Sequence, residues 1–405
     1  MFRTVAFTLL CARILAAAPL RAGPVDVNDW NAVEAEARGQ TVYWYAWGGD
    51  PRINDYIAWV AKQSKSRYGV TLEHVKVDDT GSVVSRVLAE KAAGRDTDGN
   101  VDLVWINGEN FAAMKRAGLL FSPSWADRLP NWSGVDVAGK PTVVTDFTIP
   151  TDGLEAPWGM AQLVFMADEA RFDAFPRSMD ALATWIRQNP GRFTYPQPPD
   201  FVGSTFLKQA LYEVVDQPDI LNRPAEGPQA DRAVDALMTW LTDLRDDLWR
   251  SGKAFPRNYS ALIGLLADDE IDIAFAFNPA AASNAIANGE LPDSVRTFVF
   301  DGGTIGNSHF VAIPYNASSK AGALVLANFL LSPEAQAHKQ DPSIWGDPTV
   351  LDVAGLPAED RALFDRLDLG VATLSPADLG AVLPEPHPSW MMRVEEAWKK
   401  THTQE

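Results

Sequence analysis

The 405 residues include 53 acidic and 35 basic side chains, a net charge of −18, so the surface repels nucleic-acid backbones and anionic lipid headgroups. Hydrophobic residues make up 46% of the chain and 14 residues are tryptophan, which excludes a disordered polymer. The length exceeds what one ordinary core accommodates and predicts two domains.

The chain opens as an export leader. Arg3 is followed by an apolar stretch from Val5 to Leu20, and small residues surround a predicted cut after Ala22, giving a signal peptide over 1–22. The stretch is shorter than the roughly 20 apolar residues a membrane anchor needs, and Arg13 breaks it. Cys11, the only cysteine, lies inside it behind Leu9 and Leu10, where a lipid-attachment signal has small residues. The predicted mature chain therefore starts near Gly23, free of lipid, and contains no thiol.

Three strand–turn–helix units follow. Thr41 to Trp47 is a β-branched and aromatic run stopped by Gly48-Gly49-Asp50-Pro51, after which Ile53, Tyr56, Ile57 and Val60 recur at helical spacing. Val70 to Val77 alternates like a strand, turns at Asp78 to Gly81, and leads to a helix marked by Val83, Val84, Val87 and Leu88. Val101 to Ile106 is a buried strand, then Asn107 to Asn110 opens a helix carrying Phe111 and Met114. Such units build a parallel sheet covered by helices, with the loops after the strands on one edge.

The pattern changes near residue 150. Leu154 to Met166 is a long extended stretch punctuated by glycine and proline. Helices are predicted at Leu182–Ile186, Phe206–Leu211 and Val234–Leu244, and strands at Ile271–Phe277, Arg296–Asp301 and His309–Ile313. A helix from Ala321 to Leu331 and a final one bearing Met391, Val394 and Trp398 complete the chain. Two extended pieces, near 150–166 and 296–313, are read as two crossings between lobes that hinge about them.

Several stretches resemble the bacterial family-1 extracellular solute-binding proteins of ABC importers, and within them the YnjB-type subgroup. They are Val42–Asn54 (VYWYAWGGDPRIN), Asp102–Phe111 (DLVWINGENF), Tyr195–Leu207 (YPQPPDFVGSTFL), Gly302–Tyr315 (GGTIGNSHFVAIPY) and Asn328–Gln336 (NFLLSPEAQ). The resemblance implies an α/β type II periplasmic-binding fold with two discontinuous lobes, a hinge, a ligand in the cleft and no catalysis. It implies a first lobe of 24–155 plus 300–335 and a second of 156–299 plus 336–405. The expected setting is the periplasm, as a monomer, with a small-molecule ligand and an inner-membrane ABC permease as partners and no nucleic acid.

Ligands of open α/β sheets bind beyond the strand C-termini, which selects loops independently of any family. The first loop offers Trp47, Gly48 and Gly49, as ligand contacts or as a plain tight turn. The second offers Asp79 and Thr80, with Asp79 a ligand carboxylate or a helix cap. The third offers Trp105, Asn107, Gly108, Glu109 and Asn110. In the second region Phe201, Gly203 and Ser204 open a helix expected to begin near Ser204, and Asn278 ends a strand. Gly303, Thr304 and Asn307 are read as lying between two late strands, as ligand or hinge residues. Trp158 and Trp345 are candidates to stack on a ligand, or core residues like most tryptophans.

Catalytic patterns are lacking. His74, His309, His338, His387 and His402 have no metal-ligand spacing, and neither G-x-S-x-G nor H-E-x-x-H occurs. No metal and no cofactor is expected. Trp47 and Trp105 beside Asp79 and Glu109 point to a small organic cation or zwitterion, and the resemblance implies thiamine-like or polyamine compounds as examples of that class. A sugar or phosphorylated polyol is the rival ligand class, and a secreted α/β hydrolase or lyase the rival function.

Overall fold

The computed structural model describes residues 25–375 and 378–402; the predicted leader and its cut lie outside them. In chain order the main elements begin with α1 (Trp30–Ala37), β1 (Thr41–Trp47), α2 (Pro51–Tyr68), β2 (Thr71–Val77), α3 (Gly81–Ala92), β3 (Leu103–Ile106) and α4 (Gly108–Arg116). A small hairpin, β4 (Thr145–Asp146) and β5 (Ile149–Pro150), precedes the long β6 (Glu155–Gln162). Next come β7 (Val164–Asp168), α5 (Met179–Gln188), α6 (Phe201–Val214), α7 (Gly227–Leu244), α8 (Tyr259–Ala267), β8 (Ile273–Ala276), α9 (Ala281–Ala287) and β9 (Val295–Phe298). The chain then forms β10 (Thr304–Ala312), α10 (Lys320–Leu330), α11 (Pro333–Gln340), α12 (Ala358–Asp365), β11 (Val382–Leu383) and α13 (Pro388–His402).

The first three strands pair as their connections demand. β1 runs parallel to both β2 and β3, because each is followed by a crossover helix. β10 joins β3 antiparallel, and β6 and β11 pair with β10. Side chains alternate between the two faces of this sheet. Val42, Trp44, Ala46, Leu103 and Val311 enter one core with α2 and α10, whereas Val104, Ile106, Phe310 and Ala312 enter a second core with α3 and α4. The helix α2 shows how local chemistry sets the ends. Asp50 accepts N–H bonds from Arg52 and Ile53, Pro51 stands where no N–H is needed, and Gly69 at φ 69° closes the C-terminus on the carbonyl of Lys65.

The second sheet has the order β8-β7-β9, and both pairings are antiparallel. Its core is rich in phenylalanine, with Phe165, Phe193, Phe206, Phe275 and Phe298 all buried. The stretch 154–166 is thus two strands in different sheets, crossing at Leu163, whose N–H donates to the carbonyl of Ile305. A second crossing joins β9 to β10 through 299–303, and a third passes from α12 to the C-terminal segment. Val350, Leu351 and Phe364 pack in the first core, and residues from Ala372 through Trp398 in the second, so the change of lobe comes later than residue 336.

Two expectations change. Thr304 and Asn307 do not lie between strands; both sit inside the nine-residue β10. This strand is buried almost throughout, which removes the polar alternation that marks a half-exposed strand. The helix expected near Ser204 starts at Phe201, because Asp200 caps it, so Gly203 and Ser204 belong to its first turn. Among the described residues no helix is long and apolar enough to cross a membrane.

Candidate functional site

The parallel strands β1, β2 and β3 end on one edge, and the helices that follow start there. At β1 the chain leaves through Gly48 and Gly49, neither of which has a positive φ. Their small size is needed for packing: a Cβ on Gly48 would lie 2.6 Å from Cβ of Lys76, and one on Gly49 2.4 Å from the Trp47 ring. Asp50 already fills the N-terminus of α2. At α3 the Asp79 carboxylate accepts from the Gly81 N–H at 3.0 Å, and Thr80 Oγ1 donates to the carbonyl of Trp105. At α4 the Gly108 N–H donates to Oδ2 of the buried Asp146 at 2.6 Å. At α6 the Gly203 N–H donates to Asp200 at 3.0 Å. Every one of these four helix starts holds an aspartate where a bound anion would otherwise sit.

The α4 start adds Glu109, half-buried, with Asn110 Nδ2 donating to its Oε1 at 3.0 Å. Burial pushes its carboxyl above the usual range, Lys208 opposes the shift, and Glu395 and Glu385 add to it. Lys208 comes from α6 and is ion-paired to Glu385, which also accepts from Asn307 Nδ2 at 3.1 Å. Ser204 Oγ donates to Glu395 at 2.6 Å, and burial raises the Glu395 carboxyl as well. Three glutamates therefore gather around one lysine where the lobes meet.

A second group is aromatic. The rings of Trp105 and His309 lie 5.3 Å apart edge to face, and Trp345 is 5.9 Å from Trp105 and stacked at 6.2 Å on His309. Trp158 packs behind them, 4.9 Å from Trp105 and 5.4 Å from Trp345. His309 Nε2 lies 2.9 Å from Oδ1 of Asp347, whose other oxygen pairs with the buried Lys339. Gly159 makes room for that ion pair, since a Cβ there would meet both Asp347 and Lys339. The Trp345 carbonyl accepts from Asn278 at 3.4 Å and Asn284 at 2.9 Å, tying this wall to the second lobe. Arg52 closes the same side, donating to the carbonyls of Pro342 (2.8 Å) and Asn284 (3.2 Å) and to Asn288 Oδ1 (2.8 Å).

Two lobes with crossings between them and polar groups converging at their junction describe a binding cleft, and the comparisons with known proteins decide the family. Residues 58–359 match the model of the bacterial extracellular solute-binding proteins. The chain is 43% identical to Protein YnjB of Escherichia coli K12, over 96% of this chain and 97% of that one. It belongs to the bacterial extracellular solute-binding proteins. Two solved structures share the fold. One is the spermidine/putrescine ABC-transporter substrate-binding protein PotD of Streptococcus pneumoniae (15% identity, TM-score 0.60, 90% of this chain and 99% of that one). The other is the periplasmic binding protein AfuA of Actinobacillus pleuropneumoniae with fructose-6-phosphate bound (14% identity, TM-score 0.61, 90% and 99%). The fold is the type II periplasmic-binding fold.

For a solute-binding protein the residues read from the sequence sort into three groups. Glu109, Asn110, Phe201, Ser204 and Asn307 come together with Lys208 at the acidic junction. Trp105, Asn278 and Trp345 come together in the aromatic wall. The others serve the frame. Trp158 is wholly buried in the first core, Gly203 is pressed against the carbonyl of Pro196, and Gly303 at φ 95° makes the turn into β10. Thr304 accepts from Gln162 Nε2 at 3.0 Å, and Asn107 Nδ2 donates to the carbonyl of Ser308 at 2.6 Å. Asp79 takes its capping role while remaining exposed. Trp47 is 41% exposed beyond β1, where it covers Gly49.

Lys208, Glu385, Glu395, Phe147, His309, Arg52 and Asn284 were not singled out from the sequence. Lys208 and Glu385 are 177 positions apart, and only the third crossing brings them together. One signal was available: Lys208 and Gln209 interrupt the apolar run of the predicted helix Phe206–Leu211.

Proposed function

We propose that this periplasmic substrate-binding component of an ABC importer takes a small organic cation or zwitterion, with Glu109 facing its positive group. Family membership already makes the chain a non-catalytic binder of a small organic solute that partners with a permease. The ligand class is the further step. The observation that carries it is the row of helix starts, each holding its own aspartate, beside a surplus of glutamates. Capped N-termini leave little for a phosphate to bind, whereas half-buried carboxylates reward a positive charge. The Trp105–His309–Trp345 wall suits a flat ring or an alkyl chain. PotD is described as a spermidine/putrescine binder and AfuA as holding fructose-6-phosphate, so the fold by itself supports either class.

The test has two steps. Mass spectrometry of ligand released from mildly purified protein is expected to give a species bearing at least one ammonium or other cationic nitrogen. Calorimetry with that ligand then compares wild type with Glu109→Gln, which keeps shape and removes charge. Affinity is expected to fall by about 1–3 kcal/mol, the range for a charge-assisted hydrogen bond. A released anion, or unchanged binding by E109Q, overturns the reading.

A further inference from the structure

The Lys208 side chain is 1% exposed, and a lysine is rarely buried to this degree unless a partner offsets the lost hydration. Its partners come from several places in the fold. The Glu385 carboxylate, also buried, is held by Asn307 Nδ2 of β10 and pairs with the ammonium. The Phe201 ring lies 5.2 Å below Nζ on the same helix, and the Phe147 ring 4.8 Å away on the β4–β5 hairpin. Two rings and a carboxylate around one ammonium form an aromatic cage.

The hairpin is held in an unusual way to supply its ring. Phe147 has φ 43° and Thr148 φ 68°, a left-handed region that bulky and β-branched residues rarely adopt. A two-residue hairpin turn needs positive φ at both central positions, and here it is met by a phenylalanine and a threonine in place of glycine or asparagine. Gly108, itself at φ 55°, leaves the space: a Cβ there would lie 2.8 Å from the Phe147 ring. Lys208 and Phe201 belong to the second lobe, while Phe147 and the β10 anchor of Glu385 belong to the first. The cage is complete only when the lobes are together.

We infer that Phe147, Phe201 and Glu385 form a primary-ammonium site spanning the two lobes, which the chain fills with its own Lys208 and so holds the cleft closed without ligand. The site adjoins the Glu109 carboxylate, and the inference does not depend on the class of the transported ligand. It predicts that the cage, once emptied, accepts a free alkylammonium of matching length. Lys208→Ala removes the atoms equivalent to n-propylammonium.

The experiment is a thermal-shift and calorimetric titration of ligand-free K208A with n-propylammonium chloride, with propan-1-ol as the neutral match. K208A is expected to be stabilised saturably by the amine, half-maximally at about 1–10 mM for a ligand of four heavy atoms, and not by the alcohol. The wild type is expected not to respond. Adding Glu385→Gln should abolish the response, because it removes the carboxylate that pairs with the ammonium. An equal response to propan-1-ol, the same response in wild type, or no response at all overturns the cage. Should K208A fail to fold, Lys208→Met keeps the chain length. Small-angle scattering of ligand-free K208M is then expected to give a larger radius of gyration than wild type, and an unchanged radius overturns the closing role.

Discussion

The two lobes bury their sheets with different chemistry. The first uses indoles: Trp44, Trp125 and Trp158 are fully buried, and each keeps an indole N–H without a partner. The second packs phenyl rings, with Phe165, Phe193, Phe206 and Phe275 in contact, and its buried Trp390 and Trp398 both donate their indole N–H, to the Arg223 carbonyl and the Tyr195 hydroxyl. Their topologies differ too. Parallel β1 to β3 place three loops and three helix starts on one edge, whereas the lobe of the antiparallel β8-β7-β9 offers the cleft α6, Glu395 of α13 and the Asn278–Asn284 turn. The comparison teaches that the first lobe supplies the aromatic wall and the second the polar residues that face it. Its aromatic core is continuous with the cleft through Trp158, while the phenylalanine core remains internal.

The largest effect tests that continuity. Trp158→Ala is expected to cost about 3–5 kcal/mol in chemical denaturation, and Phe206→Ala a similar amount. Only W158A should also weaken binding of the copurified ligand, because it removes the support behind Trp105 and Trp345. Equal loss of affinity in both variants would break the distinction between a wall lobe and a lobe that faces it.

A smaller effect separates the lobes by the sign of their pH dependence. In the first, burial pushes the carboxyls of Glu155 and Asp146 well above the usual range, and both Glu155 oxygens are without a partner. A carboxyl raised in the folded state binds its proton more tightly there than in the unfolded chain. Its contribution is full below the unfolded value and is lost as pH rises through the folded one. Glu155→Gln is therefore expected to gain about 1–3 kcal/mol over wild type at pH 8, the cost of an unsatisfied buried group, and little at pH 5. In the second lobe, hydrogen bonds from Arg171 and then Arg192 lower the exposed Asp269 carboxyl. That contribution is present above the unfolded value and is lost as pH falls. Asp269→Asn should thus change the acid limb of the denaturation profile alone, and E155Q the alkaline limb.

The smallest effect sharpens the view of the first-lobe rim. Asp50→Ala should cost about 1 kcal/mol as a lost helix cap, and Asp50→Asn only a few tenths. If both variants lose stability equally, the carboxylate charge rather than the hydrogen bond holds the start of α2.

Much of the first lobe was legible because its signals are local. The β-branched and aromatic run Thr41–Trp47, the turn residues after it and the spacing of Ile53, Tyr56, Ile57 and Val60 reappear as β1, the Gly48–Asp50 turn and the buried face of α2. β10 was legible only at its end, since a strand buried on both faces has no alternation to read. Glu109 was a candidate because it follows a strand in sequence, and Lys208 was not because partners of it lie on another lobe.

The sequence by itself determined the α/β class, the Asp79 cap as one of two roles for that residue and the parallel order of the first strands, because hydrogen bonding and hydrophobic periodicity act between near neighbours in the chain. Tertiary structure alone decided that β8 and β9 each pair antiparallel with β7, that Trp158 and Trp345 are both buried in the first core, and that Lys208 meets Glu385 and Phe147. The reason is physical: burial and charge pairing are fixed by distances in space, and three crossings between the lobes bring together residues that no local pattern connects.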